Sequence, residues 1–136
     1  MARGYVLGLA VVLLLGCGKP VQKQSEASDV SISTQEQAFY RKYPFYHVEG
    51  LKSNVGPAPF GDAKVVAEAA IRYSEHPCPS VTRAVRNEVD GSVTAKCSNG
   101  ERYNVFRMDA IKEPIALKCS AWKKLMGREP ETCGTI

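Results

Sequence analysis

The sequence predicts an α+β domain in which a three-stranded antiparallel β-meander is packed by helices and stapled by two disulfides. A β-favouring stretch over residues 81–108 is divided into three strands by two turn dipeptides, Asp90-Gly91 and Asn99-Gly100. Apolar residues before and after that stretch have helical spacing, and the chain contains five cysteines. Its 136 residues, of which 44% are hydrophobic and 24% charged, are typical of one ordinary globular domain.

The first predicted element is a short helix that begins at Thr34, because Thr34 and Gln37 have the spacing of a capping box. It is expected to end before Pro44. Residues 50–61 hold two prolines and three glycines and are predicted to form a loop. A second helix is predicted over residues 62–75 with Asp62 as its N-cap. Its buried stripe is expected to consist of Val65, Val66, Ala69, Ala70 and Tyr73.

Strands are predicted over residues 81–89, 92–97 and 102–108, and the helix before them is expected to cover one face of their sheet. A last helix is predicted to begin near Pro114, since proline is favoured in the first helical turn. Gly127 is its expected C-terminal cap. Apolar residues at i, i+4, i+7 and i+11 indicate the buried stripe of this helix. They are Ile115, Cys119, Trp122 and Met126.

Aromatic side chains are concentrated early in the domain, where five of the nine Tyr and Phe residues after residue 17 fall between Phe39 and Tyr46. Two interpretations remain open. The favoured one is that this segment covers the core of the domain. The other is that Phe39, Tyr40 and Tyr43 bind a partner, because aromatic residues and arginine are enriched at protein interfaces.

The amino-terminal residues are typical of a secretion signal. Arg3 is followed by an almost wholly apolar stretch over residues 5–15, which is shorter than the about 20 residues needed to span a bilayer. The next residues, Leu14-Leu15-Gly16-Cys17, place a small residue directly before a cysteine. An ordinary secretory signal, with Cys17 left as a free thiol, is the simpler alternative.

This segment resembles the lipobox of bacterial lipoproteins, in which the chain is cut before the cysteine and that cysteine is acylated. The resemblance implies a signal peptide over residues 1–16, a lipidated Cys17 with a flexible tether over residues 17–34, and a periplasmic domain over residues 35–136. It implies membrane attachment through the lipid anchor, and the absence of aspartate at Gly18 favours the outer membrane, facing the periplasm.

The domain itself looks like a family of small proteobacterial lipoproteins to which no function is attached. The residues that carry this resemblance are Cys78-Pro79, Asp90-Gly91 and Cys97-Ser98-Asn99-Gly100.

The net charge of the chain is +4, and removal of Arg3 with the signal peptide lowers it to +3. No run of five or six basic residues occurs, so a nucleic-acid partner is not expected. Weak attraction to anionic lipid headgroups or glycan stays open.

Four cysteines remain once Cys17 is assigned to lipid, and an oxidising compartment favours two disulfides among them. Three pairings are possible. Cys78–Cys97 and Cys119–Cys133 are favoured, because the first would tie the strand entry to the middle strand and the second would pin the tail to the last helix. A zinc site is disfavoured, since its ligands normally come in close pairs. No metal or other cofactor is predicted.

Catalytic motifs are not found, and no enzymatic activity is predicted. His76 stands near Cys78, but an oxidised cysteine cannot act as a nucleophile. The favoured function is a non-catalytic accessory or interaction protein of an envelope complex. One alternative is a periplasmic inhibitor, similar to lipoproteins that block lysozymes, with residues 98–101 as the inserted loop. The other is a small-ligand carrier with a groove lined by Tyr73, Phe106 and Trp122.

Overall fold

The computed structural model describes residues 32–136, which form an α+β domain. In that part of the chain, a six-stranded antiparallel sheet is accompanied by four α-helices and one 3-10 turn, Glu49–Leu51. The helices are α1 Thr34–Lys42, α2 Ala63–Tyr73, α3 Cys119–Met126 and α4 Glu131–Thr135. The strands are β1 Tyr46–Val48, β2 Ser53–Gly56, β3 Val81–Arg86, β4 Val93–Cys97, β5 Arg102–Met108 and β6 Ile111–Lys118.

Strand β5 is the centre of the sheet, whose order is β1-β2-β5-β4-β3 with β6 also paired to β5. The first part of β5 pairs with β4, where Val105 lies opposite Val93. Its last residue, Met108, has partners in both β2 and β6. The predicted meander β3-β4-β5 is therefore present, but three strands was too few, because β1, β2 and β6 extend the same sheet.

The sheet has a buried layer on each face because residues along β5 alternate in direction. Tyr103 and Val105 belong to the larger core, which the sheet forms with α2. Phe106 belongs to a second core, where its ring meets the edge of Trp122 from α3 at 5.1 Å between centroids. The even-numbered face of β5 therefore lies under α3, and this face carries the candidate site.

The prediction of a loop over residues 50–61 was wrong in part, because β2 lies inside it and β1 lies just before it. Each of these strands has only three or four residues. Such short strands show little alternation of apolar and polar residues, which is the sequence signal for a strand. Strand β2 pairs with β5 and β1 pairs with β2, and Val48 and Val55 are both 2% exposed.

Helix α2 is confirmed, and the Asp62 carboxylate accepts hydrogen bonds from the backbone N–H groups of Lys64 and Val65 at 3.0 Å. Its predicted buried stripe was rotated by about one residue. Val65 and Tyr73 are 64% and 55% exposed. The buried residues are Val66, Ala67, Ala70 and Ile71. The predicted and the observed set of residues both have helical spacing. The helix buries the set that contains Ala67 and Ala70, which pack in the larger core against the sheet.

The predicted helix from Pro114 was wrong over its first part, because residues 111–118 form strand β6 and α3 begins only at Cys119. Proline is tolerated in an edge strand, where one N–H is not needed for the sheet. The end of α2 covers this edge: Ala116 N–H donates to Ser74 Oγ at 2.9 Å, and His76 Nε2 lies 2.8 Å from the Ala116 carbonyl oxygen. Gly127 is confirmed as the cap of α3, with φ +72°.

Both cysteine pairs favoured from the sequence are at disulfide-bonding distance. Cys78 and Cys97 have Cα atoms 5.4 Å apart, and Cys119 and Cys133 have Cα atoms 6.1 Å apart. The first pair joins the entry of β3 to the end of β4, and the second joins the start of α3 to α4. The first bond thereby fixes the segment before β3 to the sheet, and the second fixes the tail of the chain to α3.

The signal peptide, Cys17 and nearly all of the expected tether lie outside the described residues. Within residues 32–136, no helix has both the length and the apolar character needed to cross a membrane.

Candidate functional site

A polar cleft of about 230 Å³ opens on the sheet face that lies under α3. Asn104 of β5 and Trp122 of α3 are its most buried lining residues and form its floor, at 2% and 8% exposure. Residues from β1, the end of α3, the β3–β4 loop and the chain after α3 form its walls. They are Tyr46 and Met126, Asn87, Val89 and Asp90 of the β3–β4 loop, and Arg128, Glu129, Pro130 and Glu131 after α3.

The wall after α3 is held in place by three contacts between the end of the chain and the sheet. Cys133 is joined to Cys119, and its carbonyl oxygen accepts a hydrogen bond from the Arg102 guanidinium. The hydroxyl groups of Thr132 and Thr94 are also hydrogen-bonded to each other. Because these contacts fix α4 over β4 and β5, residues 127–131 are positioned along one side of the cleft.

Asn104 supplies an unpaired donor at the floor. It lies opposite Thr94 in the β4–β5 ladder, and the Thr94 hydroxyl donates to its Oδ1 at 3.5 Å. Within residues 32–136, its amide nitrogen donates no hydrogen bond. Because Asn104 lines the cleft, this amide is suited to meet an acceptor placed there.

The rim carries charges of both signs. Asp90 uses one carboxylate oxygen to accept from Ser92 N–H at 2.9 Å, and Glu129 lies 4.0 Å from the Arg102 guanidinium. Glu131 is exposed, and Arg128 forms no ion pair with any residue of the described range.

Partial burial raises the pKa of Tyr46, and Asp90 raises it further while Arg128 lowers it. The Tyr46 phenol therefore stays protonated at neutral pH and can donate.

The cleft opens outward into an exposed surface that we call the Tyr46 surface, formed by Pro44, Tyr46, Val89 and Arg128. These residues, with Tyr43 and Asp90, line a depression of about 350 Å³. Tyr46 is 42% exposed and Val89, at the tip of the β3–β4 loop, is 83% exposed. The loop itself is tied to the domain, since Ala58 N–H donates to the Gly91 carbonyl oxygen at 3.1 Å.

The aromatic residues singled out in the sequence lie beside this surface but pack mainly on their own domain. Tyr43 is only 5% exposed and belongs to the core, which favours the interpretation of this segment as a cover over partner binding by Tyr43. Phe39 and Tyr40 are half-buried. Their rings lie under the guanidinium groups of Arg86 and Arg107, at 4.9 and 4.3 Å respectively. These contacts fit the favoured interpretation of α1 as a cover.

The groove expected for a small-ligand carrier is not formed, because Tyr73 is exposed on α2 and Phe106 and Trp122 lie on the other face of the sheet. Residues 98–101 do form an exposed turn, in which Asn99 Nδ2 donates to the Pro77 carbonyl oxygen at 2.9 Å. This turn lies apart from the cleft.

The histidines bond to a carboxylate and to backbone, since His47 lies 3.2 Å from Glu49 and His76 contacts Ala116. In the part of the chain that the structure describes, no three His, Cys, Asp or Glu side chains are grouped so that they could hold a metal ion.

The sequence did not identify Asn104, Arg128 or Tyr46 as lining residues of a site. One signal was available for Asn104, which lies between apolar residues in the run Tyr103-Asn104-Val105-Phe106. A polar residue at an inward-facing strand position needs a partner or a function. Arg128 had no signal, because its place depends on how residues 127–136 fold back onto the sheet.

Comparison with protein-family models, with curated proteins and with solved structures found no match. The function proposed below therefore depends on the residues of this chain and their geometry.

Proposed function

We propose that this chain is a non-catalytic outer-membrane lipoprotein, anchored through Cys17, that presents its disulfide-stapled domain to a protein partner of an envelope complex. The lipobox-like residues 14–17 support the anchor, and the two cysteine pairs at bonding distance are in keeping with an oxidising compartment. The polar sequence between Cys17 and α1 would leave the domain free to reach its partner.

The observation that carries the partner-binding role is the Tyr46 surface. A valine that is 83% exposed at a loop tip stands beside a half-exposed tyrosine, a proline and an arginine that forms no ion pair within residues 32–136. Tyrosine and arginine are the residue types most enriched where binding energy is concentrated. An apolar centre with a charged margin is also the common anatomy of protein interfaces.

The proposal is tested by photo-crosslinking in cells that carry the full-length lipoprotein. A photoreactive residue at Val89 is expected to capture one envelope protein, because Val89 is the most exposed part of the surface. The same residue at Val65 is the matched control, since Val65 is an exposed valine on α2 and is 64% exposed. Equal capture at both positions, or no capture at Val89, would contradict the proposal. Capture of a lysozyme through Asn99 would instead favour the inhibitor alternative.

Substitution of the same two valines gives a quantitative prediction. We expect Val89→Asp to weaken partner binding about tenfold or more, because desolvating the introduced carboxylate at the interface costs at least about 1–2 kcal/mol. Val65→Asp should leave affinity unchanged. Both variants should unfold at the same temperature as the parent, since neither side chain is buried. Affinity is measured by titrating the captured partner with the purified mature chain.

A further inference from the structure

We propose that the polar cleft binds a neutral polyhydroxyl ligand, a single sugar ring being the chemical class that fits it. This inference goes beyond the partner-binding role and does not depend on it, because it rests on the residues at the floor of the cleft. Asn104 at that floor is 2% exposed, and its amide nitrogen has no hydrogen-bond acceptor within residues 32–136. Its side chain lines the cleft, so this amide is placed to donate to a molecule that enters it.

The donors of the cleft require a ligand with acceptor oxygens. The Asn104 amide lies at the floor and the Arg128 guanidinium lies at the rim, and Arg128 makes no ion pair with the described residues. The Tyr46 hydroxyl, kept protonated by its raised pKa, adds a third donor. An ammonium ligand is disfavoured, because it offers no acceptor to these three donors.

The charges of the walls argue against an anionic ligand. Three carboxylates, those of Asp90, Glu129 and Glu131, line the cleft with the single guanidinium of Arg128. A carboxylate or phosphate would meet more negative than positive charge. A hydroxyl group avoids this conflict, since it can donate to a carboxylate and accept from an amide or a guanidinium.

The shape of the site agrees with one small ring. A volume of about 230 Å³ is below that of sites for drug-sized ligands, which begin at about 300 Å³. Trp122 and Tyr46 supply aromatic surface against which the C–H face of a sugar can pack. The adjoining depression shares Tyr46, Val89, Asp90 and Arg128 with the cleft, so a second ring could extend outward.

The test is an NMR titration of the full mature chain, with the Asn104 side-chain amide and the Trp122 indole as reporters. The probes are glucose and N-acetylglucosamine, and acetate and glycine are the charged controls. We expect both reporters to shift with at least one sugar, with a Kd of about 2 mM, the order that a ligand of this size implies. Acetate and glycine should leave them unchanged.

Two variants separate binding from folding. Asn104→Ala should weaken sugar binding at least tenfold, and Arg128→Gln should weaken it about threefold without loss of folding, because Arg128 is exposed. Pro44→Asp, at an exposed residue of the Tyr46 surface that does not line the cleft, should keep sugar affinity while it weakens partner binding, so the two proposals can fail separately. No shift with either sugar in a folded protein would overturn the inference. So would a larger response to acetate, or Arg128→Gln binding sugar as the parent does.

Discussion

Reduction of the two disulfides is expected to bring the domain to the edge of unfolding. The bonds close loops of 19 and 14 residues, and loops of this size contribute about 3 kcal/mol each in the chain-entropy model. A loss of about 6 kcal/mol is comparable with the whole stability of a small domain, about 5–15 kcal/mol. The measurement is urea unfolding followed by the fluorescence of Trp122, with and without reductant.

Two double variants divide this effect between the bonds. Cys78→Ala/Cys97→Ala and Cys119→Ala/Cys133→Ala should each lower the midpoint by roughly 2 M urea, for an m-value of about 1.5 kcal/mol per M. The second pair should also disturb the cleft, because it fixes the wall formed by residues 127–131. An unfolding midpoint that does not change on reduction would contradict this account of the fold.

Substitution of Arg86 is expected to have the largest effect of any single change to a charged residue. Its guanidinium donates hydrogen bonds to four carbonyl oxygens, those of Ala58, Pro59, Gly61 and Gly91, at distances of 2.7 to 3.3 Å. These bonds hold the loop after β2 and the loop that carries Val89. Arg86→Ala removes the donor from all four carbonyls and is expected to cost about 3 kcal/mol of unfolding free energy.

The matched control for Arg86 is Arg83, an exposed arginine on the same strand. Arg83→Ala should change stability by less than about 0.5 kcal/mol, as surface substitutions usually do. Arg86→Lys should recover only part of the loss, because an ammonium group cannot bond in the planar fork of a guanidinium. Thermal unfolding of the three variants measures these differences. Equal melting temperatures for Arg86→Ala and Arg83→Ala would show that the four bonds contribute nothing.

The parts of the fold that local sequence determines were predictable. Asp62 caps α2, and Gly91 and Gly100 adopt positive φ of +71° and +84° in the loops that join β3, β4 and β5. At Gly91 a side chain would also meet Pro57 and Tyr43 at 2.7 and 2.8 Å. The local backbone conformation determines which residue type is needed at each of these positions. The residue type is visible in the sequence, so these features can be predicted from it.

The parts that depend on distant contacts were not predictable. Ile115 fits the stripe of a helix by spacing, yet it lies on β6 opposite Phe106, in the same core as Trp122 and Met126. Spacing identified the correct core members and the wrong backbone conformation for one of them. The cleft was missed for the same reason, because Tyr46, Asn104 and Arg128 are far apart in the chain and meet only after the sheet and the tail have formed.

The central claim is that a stapled domain is held to a membrane through Cys17, and the intact mass of the native protein tests it most directly. The protein is extracted from bacterial membranes, alkylated without reduction and analysed by mass spectrometry. We expect a chain that begins at an acylated Cys17, lacks residues 1–16 and carries no alkylated cysteine. A chain that begins at another residue, or an unacylated Cys17 that reacts with the alkylating agent, would contradict the claim.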